Sequence, residues 1–101
     1  MSTFDKLHVR FDPQAAEGMR EIFQFHFTDA EDHYLRIHDG ELDIVAGEHD
    51  DPSVSLNLST ETLKGIMSGD INGMAAYMSG RLKASGNVML ATRLTSLFPS
   101  R

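Results

Sequence analysis

The side chains best suited to chemistry in this sequence are its five histidines, and their spacing forms no metal-binding motif. The His-Glu-x-x-His pattern, which places two imidazoles on one zinc ion, is missing. His33 and His38 are an odd number of positions apart, so on one strand they face opposite sides. His26 and His38 would share the wet face of neighbouring strands, which predicts at most a weak adventitious site. We interpret the histidines as solvated side chains and expect no bound metal.

The sequence supports a site for nucleophilic catalysis no better than it supports a metal site. The chain contains no cysteine, which excludes thiolate chemistry, disulfides and cysteine zinc sites. Ser68, Ser79 and Ser85 each precede a glycine, but none lies in Gly-x-Ser-x-Gly and no histidine follows them. Serine beside glycine is typical of turns. We therefore predict that the chain is not an enzyme and has no cofactor.

The net charge of the chain limits the classes of partner that it can bind. The 101 residues carry a net charge of −6, which opposes nonspecific binding to nucleic acid. Residues 29–51 hold nine acids and one base, whereas residues 52–101 hold two acids and five bases. We interpret the acidic stretch as a solvated face. No signal peptide or run of 18 apolar residues is present, so we expect one small cytoplasmic domain over residues 1–101, without stable membrane insertion.

The first half of the chain has the two-residue alternation of a sheet with one buried face. Phe23, Phe25 and Phe27 alternate with polar residues, and residues 34–58 contain three further alternating segments. Asp39-Gly40 predicts a two-residue type I′ hairpin, because that turn needs positive φ at both positions. Upstream, Asp12 and Gly18 are the expected start and stop of one or two helical turns.

The second half is mainly helical, with a weak fifth strand predicted over residues 81–86. Three short helices are indicated by residues that favour helix ends. The paired start and stop residues are Ser59 and Gly69, Asn72 and Gly80, and Asn87 and Pro99.

Methionines are concentrated in these helices, at positions 67, 74, 78 and 89. Methionine is flexible and polarizable, so it lines surfaces that adapt to variable apolar ligands, but it also fills ordinary cores. Both interpretations remain open from composition. A cavity between such helices and the phenylalanine-rich sheet would suit an acyl chain or a sterol skeleton better than a polar metabolite.

The segment Ala-Tyr-Met-Ser-Gly-Arg-Leu-Lys-Ala-Ser-Gly-Asn at residues 76–87, followed by Leu90-Ala91, resembles the signature of the sterol carrier protein type-2 family. Arg81 and Asn87 stand where that family usually has lysine and aspartate. The hairpin, the serine-capped helix and the segment before the first strand match further landmarks in order. The resemblance extends over about residues 10–98.

This resemblance implies an α+β fold, in which a five-stranded, mainly antiparallel sheet has helices packed on one face around an apolar tunnel. It also implies a non-enzymatic carrier of a sterol-like, fatty acyl or isoprenoid lipid. The expected lining residues are the apolar side chains of the sheet and helices, and Gln24 and the backbone after Gly80 are candidates to meet a polar head. The lining residues are Phe23, Phe25, Phe27, Leu35, Ile37, Leu56, Leu58, Ile66, Met67, Met74, Tyr77, Met78, Leu90, Leu94 and Phe98.

An interaction module is the alternative interpretation, in which the same fold has a filled cavity and acts as an accessory or dimerising unit. Only about ten residues precede Phe11, where the family has a long covering helix. Phe4, Leu7 and Val9 are few apolar residues to shield the surface that this helix covers. We therefore predict a homodimer that uses residues 1–10 or the surface they leave bare.

Overall fold

Strands and short helices alternate in an α+β fold in the computed structural model, which describes residues 11–98. Apart from the last predicted helix, the strands and helices predicted above are present within one or two residues of their expected bounds. In chain order they are β1 (Arg20–Phe27), β2 (His33–His38), β3 (Glu41–Ala46), β4 (Val54–Leu58), α1 (Thr60–Ser68), α2 (Gly73–Ser79), β5 (Lys83–Gly86), a 3₁₀ helix (Val88–Arg93) and α3 (Leu94–Leu97).

The five strands form one mixed sheet in the order β3-β2-β1-β4-β5. Three neighbouring pairs are antiparallel and the central pair, β1 with β4, is parallel. The mainly antiparallel prediction is confirmed, with this parallel pair as a detail that strand alternation does not reveal. The parallel pair arises because the chain leaves β3 and crosses the outer face of the sheet before it starts β4.

The tight turn between β2 and β3 has the predicted geometry. Asp39 and Gly40 have φ values of 48° and 85°, as a type I′ turn requires. The Asp39 side chain also accepts a hydrogen bond from the backbone N–H of Gly18, at 3.2 Å. This bond fastens the hairpin to the turns over residues 13–18, where the sequence predicts one or two helical turns.

Capping residues define α1 and α2 as predicted. The Ser59 hydroxyl accepts the Thr62 N–H at 3.0 Å, and Asn72 Oδ1 accepts the Ala75 N–H at 3.1 Å. Both helices end at a glycine in the left-handed region, Gly69 and Gly80. These caps satisfy polar backbone groups that short helices otherwise leave exposed.

The last predicted helix differs from the expectation. It begins as a 3₁₀ helix and becomes α-helical for only its final four residues. Asn87 accepts the Leu90 N–H through its backbone carbonyl at 3.0 Å, an i to i+3 bond that tightens the first turn. The Leu97 carbonyl accepts the Asp12 N–H at 2.8 Å, so the last helix is tied to the first described residues.

Candidate functional site

One face of the sheet carries apolar side chains from all five strands, with Glu21 and His33 as its polar members. Strand register places Phe23 beside both Leu35 and Val54, and Phe25 beside Leu56. The rings of Phe25 and Phe27 stack with their planes 2° apart and centroids 5.7 Å apart. Alternation within each strand puts these residues on the same face because successive side chains point to opposite sides.

The helices cover this apolar face unequally. From α1, Leu63, Ile66 and Met67 are buried against the sheet, as the stripe in the sequence predicts. The segment after β5 adds four buried side chains to the same cluster, including Phe98, whose ring lies 5.6 Å from that of Phe11. From α2, only Ala76 is buried. The cover over the sheet is therefore supplied by α1 and the last helical segment.

Twelve of the fifteen expected lining residues lie in this one buried cluster. They are Phe23, Phe25, Phe27, Leu35, Ile37, Leu56, Leu58, Ile66, Met67, Leu90, Leu94 and Phe98. The other three lie on α2 with their side chains in solvent: Met74 is 57% exposed, Tyr77 48% and Met78 80%. The structure therefore groups the residues of the sheet, α1 and the last helical segment, and separates the α2 residues from them. A lining role for any of the fifteen stays a prediction.

Other residues share the buried cluster but are absent from that set. Val54, Leu63 and Leu97 follow the same alternation or helical stripe, so their burial was readable from the pattern. Ala16 and Met19 lie in the turns before β1 and have no periodic signal. Tertiary packing of those turns, rather than local sequence, buries them.

Gln24 does not meet the cluster, and the expectation that it contacts a ligand head is wrong. Its side chain points to the outer face of the sheet and is completely buried there. Nε2 donates to the carbonyls of Phe25, His33 and Gly47 at 3.1–3.3 Å, and Oε1 accepts the His49 N–H at 2.7 Å. These bonds hold the β3–β4 crossover on the sheet and use both ends of the amide.

The four histidines in the described residues are not grouped: His26 and His38 lie on the outer face, His49 lies in the crossover, and His33 lies on the inner face with its ring 6.3 Å from that of Phe27. His26 Nδ1 is 2.9 Å from Asp32 Oδ2, and His38 lies opposite Arg20 in the strand register. The expectation that His26 and His38 are cross-strand neighbours is wrong, because the β1–β2 connection brings His26 level with Asp32 instead. Within residues 11–98, no three histidine or acidic side chains are grouped as metal ligands.

A depression of about 340 Å³ lies at the surface and includes only Leu90 of the fifteen predicted lining residues. Residues from the turns before β1, the start of β1 and the 3₁₀ helix form its wall. Arg20 and Arg93 lie on it together with Glu17 and Glu21, so its charges balance. The depression is open and polar, unlike a pocket for an apolar ligand.

The buried cluster is uniformly apolar. Apart from Gln24 on the outer face, Thr62 is the one buried polar residue in the described range, and its hydroxyl is bonded to Ser59 Oγ at 2.9 Å. A cluster without charged or free polar groups favours contact with other apolar groups. None of the described helices is both long and apolar enough to cross a bilayer.

Comparison with known proteins agrees with this geometry. Residues 4–99 match the profile of the SCP-2 sterol transfer family. The chain is 39% identical over 54 residues to the peroxisomal multifunctional enzyme A of Dictyostelium discoideum, covering 54% of this chain but 12% of that protein. It thus spans a small part of this curated relative.

Solved structures that share the fold include a sulfatase and a sterol carrier protein. The inverting sec-alkylsulfatase Pisa1 from Pseudomonas sp. superposes with a TM-score of 0.89 at 25% identity, over 97% of this chain and 16% of the sulfatase. Sterol carrier protein 2 from Aedes aegypti, in complex with the C16 fatty acid palmitate, superposes with a TM-score of 0.70 at 16% identity, over 95% of this chain and 94% of that one.

Proposed function

This chain belongs to the SCP-2 sterol transfer family, and from that membership we propose that it binds an apolar lipid without catalysing a reaction on it. Sterol-like, fatty acyl and isoprenoid molecules are the candidate ligands. The observation that carries the proposal is the continuous apolar layer between the sheet and its helical cover, in which twelve of the fifteen expected lining residues meet. The same fold holds palmitate in the Aedes protein.

The apolar layer determines which part of a ligand enters it. Within the described residues it offers no charged side chain to a carboxylate or sulfate, so only the hydrocarbon portion is stabilised there. The polar head then stays at the surface. Ile66 and Met67 give the layer an adaptable wall, because methionine repacks around different shapes at low cost.

The expected affinity follows from the burial of the chain. At about 0.8 kcal/mol per methylene, a C16 chain contributes roughly 12 kcal/mol before the costs of binding. Ordering the ligand and separating packed side chains subtract several kcal/mol, which leaves a Kd on the micromolar scale. Because apolar contacts discriminate weakly between chains of similar width, several lipids should compete for one site.

A titration with a fluorescent fatty acid tests the proposal. The delipidated protein should bind one equivalent with micromolar Kd, and palmitate should displace the probe. Met67→Phe enlarges a buried side chain and should weaken binding at least fivefold, because it occupies space that a ligand needs. Met89→Phe makes the same change at a residue that is 72% exposed, and should leave the affinity within twofold.

Two results would contradict lipid binding. One is the absence of saturable probe binding together with the absence of any co-purified lipid in mass spectra of the freshly isolated protein. The other is equal affinity for the protein with Met67→Phe and the protein with Met89→Phe, which would place the probe outside the apolar layer.

An accessory or dimerising module is the second candidate, favoured by the close packing of the buried cluster. All nineteen of its members are at most 9% exposed. In this case the domain supports an enzyme that acts on apolar substrates, and the layer is filled by side chains.

The predicted homodimer is part of this second candidate function. Phe4, Leu7 and Val9, the residues on which that prediction depends, lie outside the described residues. Light scattering should give twice the chain's 11.2 kDa, and Phe4→Asp with Leu7→Asp should halve the mass. A monomeric wild-type protein would rule out the dimer.

A further inference from the structure

Helix α2 presents an apolar surface to solvent. Met74, Tyr77 and Met78 follow i, i+3, i+4 spacing, so they share one face, and all three are exposed. The helix contains no charged residue, and Ala76 is its one buried side chain. A surface helix normally places its polar residues outward. We call these three side chains the α2 patch. Helix α2 thus differs from an ordinary surface helix, because it presents apolar side chains to solvent.

The chain carries net positive charge from just before α2 to its last residue. All fifteen acids of the chain lie in residues 1–70, with five bases, for a net charge of −10. Residues 71–101 contain four bases and no acid, for +4, and the two sums give the total of −6. Arg81 follows Gly80, which ends the helix, and its backbone N–H donates to the Ala76 carbonyl at 2.9 Å. Arg81 and Lys83 are exposed and form no ion pair with a described residue.

The size of the α2 patch limits what can cover it. With about 150–250 Å² for each large side chain, the exposed fractions sum to roughly 350 Å². A stable protein interface needs about 800 Å² from each partner, so a second copy would gain too little from this surface. A few apolar side chains beside cations are, by contrast, sufficient for reversible binding at a membrane interface.

We propose that α2 docks this domain on an anionic lipid bilayer. The α2 patch lies at the boundary between headgroups and acyl chains, and Arg81 lies at the level of the lipid phosphates. The acidic first part of the chain is repelled by the same surface, which orients the domain with α2 toward the membrane. This inference rests on the proposed function in one respect: the docked state is the one in which a lipid carrier exchanges its ligand with the membrane.

Vesicle sedimentation tests the docking. Protein should sediment with vesicles of equal parts phosphatidylcholine and phosphatidylglycerol, and at least fivefold less with phosphatidylcholine alone or at high salt. Met74→Gln with Met78→Gln should reduce binding at least fivefold, since glutamine keeps helix propensity and removes the apolar contact. Arg81→Glu should do the same. Lys64→Glu makes an equal charge change on α1, near Asp29, and should stay within twofold of wild type.

A fluorescence experiment locates the contact. The chain has two tyrosines and no tryptophan, so each tyrosine can be replaced by a single reporter. Tyr77→Trp should show a blue shift of its emission on addition of the anionic vesicles. Tyr34→Trp should show none, because Tyr34 lies on the outer face of the sheet against the His49 ring, at 5.1 Å.

Three results would overturn the docking: no sedimentation with anionic vesicles, unchanged sedimentation after Met74→Gln with Met78→Gln, or a wild-type dimer that these substitutions dissociate. The last would assign the α2 patch to a second copy. Fatty acid titration without vesicles separates this inference from the proposed function. Vesicle binding without fatty acid binding would refute the proposed lipid carrier and support the docking. Fatty acid binding without vesicle binding would support the carrier and refute the docking.

Discussion

Gln24 determines how the chain passes from β3 to β4. Its amide bonds to three carbonyls and one N–H, two of them in the crossover itself, Gly47 and His49. From the sequence, Gln24 is one more polar residue on the outer face of an alternating strand. Its burial was not predictable, because it depends on a crossover that strand patterns do not encode. The expectation that Gln24 meets the polar head of a ligand fails for this reason.

Replacing Gln24 by leucine should destabilise the fold by about 2–4 kcal/mol, because buried carbonyls and an N–H lose their partners while the volume is kept. Asn57→Leu, at an exposed position on the same face, should change stability by about 0.5 kcal/mol or less. Urea unfolding measures both. Similar stabilities for the two variants would mean that the crossover does not depend on the amide.

Asp29 joins the β1–β2 connection to the start of α1. Its carboxylate accepts the Thr60 N–H at 3.0 Å and the Thr60 hydroxyl at 2.8 Å. These two bonds hold the pKa of Asp29 below its usual 3.8, with a smaller contribution from Lys64. Since the folded pKa is depressed, the stabilisation is present above the unfolded pKa and is lost as the pH falls through the folded one.

The substitution Asp29→Ala should therefore lower the Tm at neutral pH, and the difference from wild type should close as the pH falls below 3.8. Thermal scans across that range make the comparison. Asp50→Ala, in the exposed crossover, serves as the control and should change the Tm little at any pH. A Tm difference for Asp29→Ala that is independent of pH would show that lost packing, not the charged hydrogen bonds, is responsible.

At the scale of elements, the connection between α1 and α2 is set by a close approach at Gly65. The Ile71 N–H donates to the Gly65 carbonyl at 2.9 Å. A methyl group on Gly65 would overlap Cδ1 and Cγ1 of Ile71. Glycine inside a helix costs stability, so its presence here indicates that the space is needed for packing. The spacing of Gly65, Gly69 and Gly73 thus reflects packing and helix ends.

Gly65→Ala should cost about 1–3 kcal/mol through overpacking, which outweighs the gain of up to about 1 kcal/mol in helix propensity. Combined with Ile71→Ala, the cost of the added methyl should fall by at least half. Gly73→Ala is the control, because its added methyl would meet only Ile66 Cγ2, at 3.9 Å. Additive effects of Gly65→Ala and Ile71→Ala would contradict the close approach.

Element prediction succeeded where a local signal exists and failed where packing decides. Alternation, Asp39-Gly40 and the caps at Ser59 and Asn72 gave the strands, the hairpin and two helices, because each depends on neighbouring residues alone. The exposure of α2 was not predicted, since a methionine stripe has the same spacing whether it faces core or solvent. The 3₁₀ start of the last helix was not predicted either, because the apolar spacing of residues 90–98 is the same for both kinds of helix.

At the scale of the whole molecule, the chain separates an apolar layer from an acidic exterior. The layer is closed by α1 and the last helical segment, and the charge changes sign between residues 1–70 and residues 71–101. The family resemblance followed from the sequence because its landmarks occur in order. The parallel β1–β4 pair and the position of the layer required the structure, because both arise from contacts between distant parts of the chain.

The central claim is that a lipid chain enters the apolar layer, and a methyl NMR titration tests it most directly. Palmitate is added to the delipidated protein carrying labelled methionine and isoleucine methyl groups. We predict that the Met67 and Ile66 signals shift and saturate at one equivalent, while the exposed Met89 signal stays in place. Shifts confined to exposed methionines, or buried signals that remain unchanged at excess palmitate, would contradict the account.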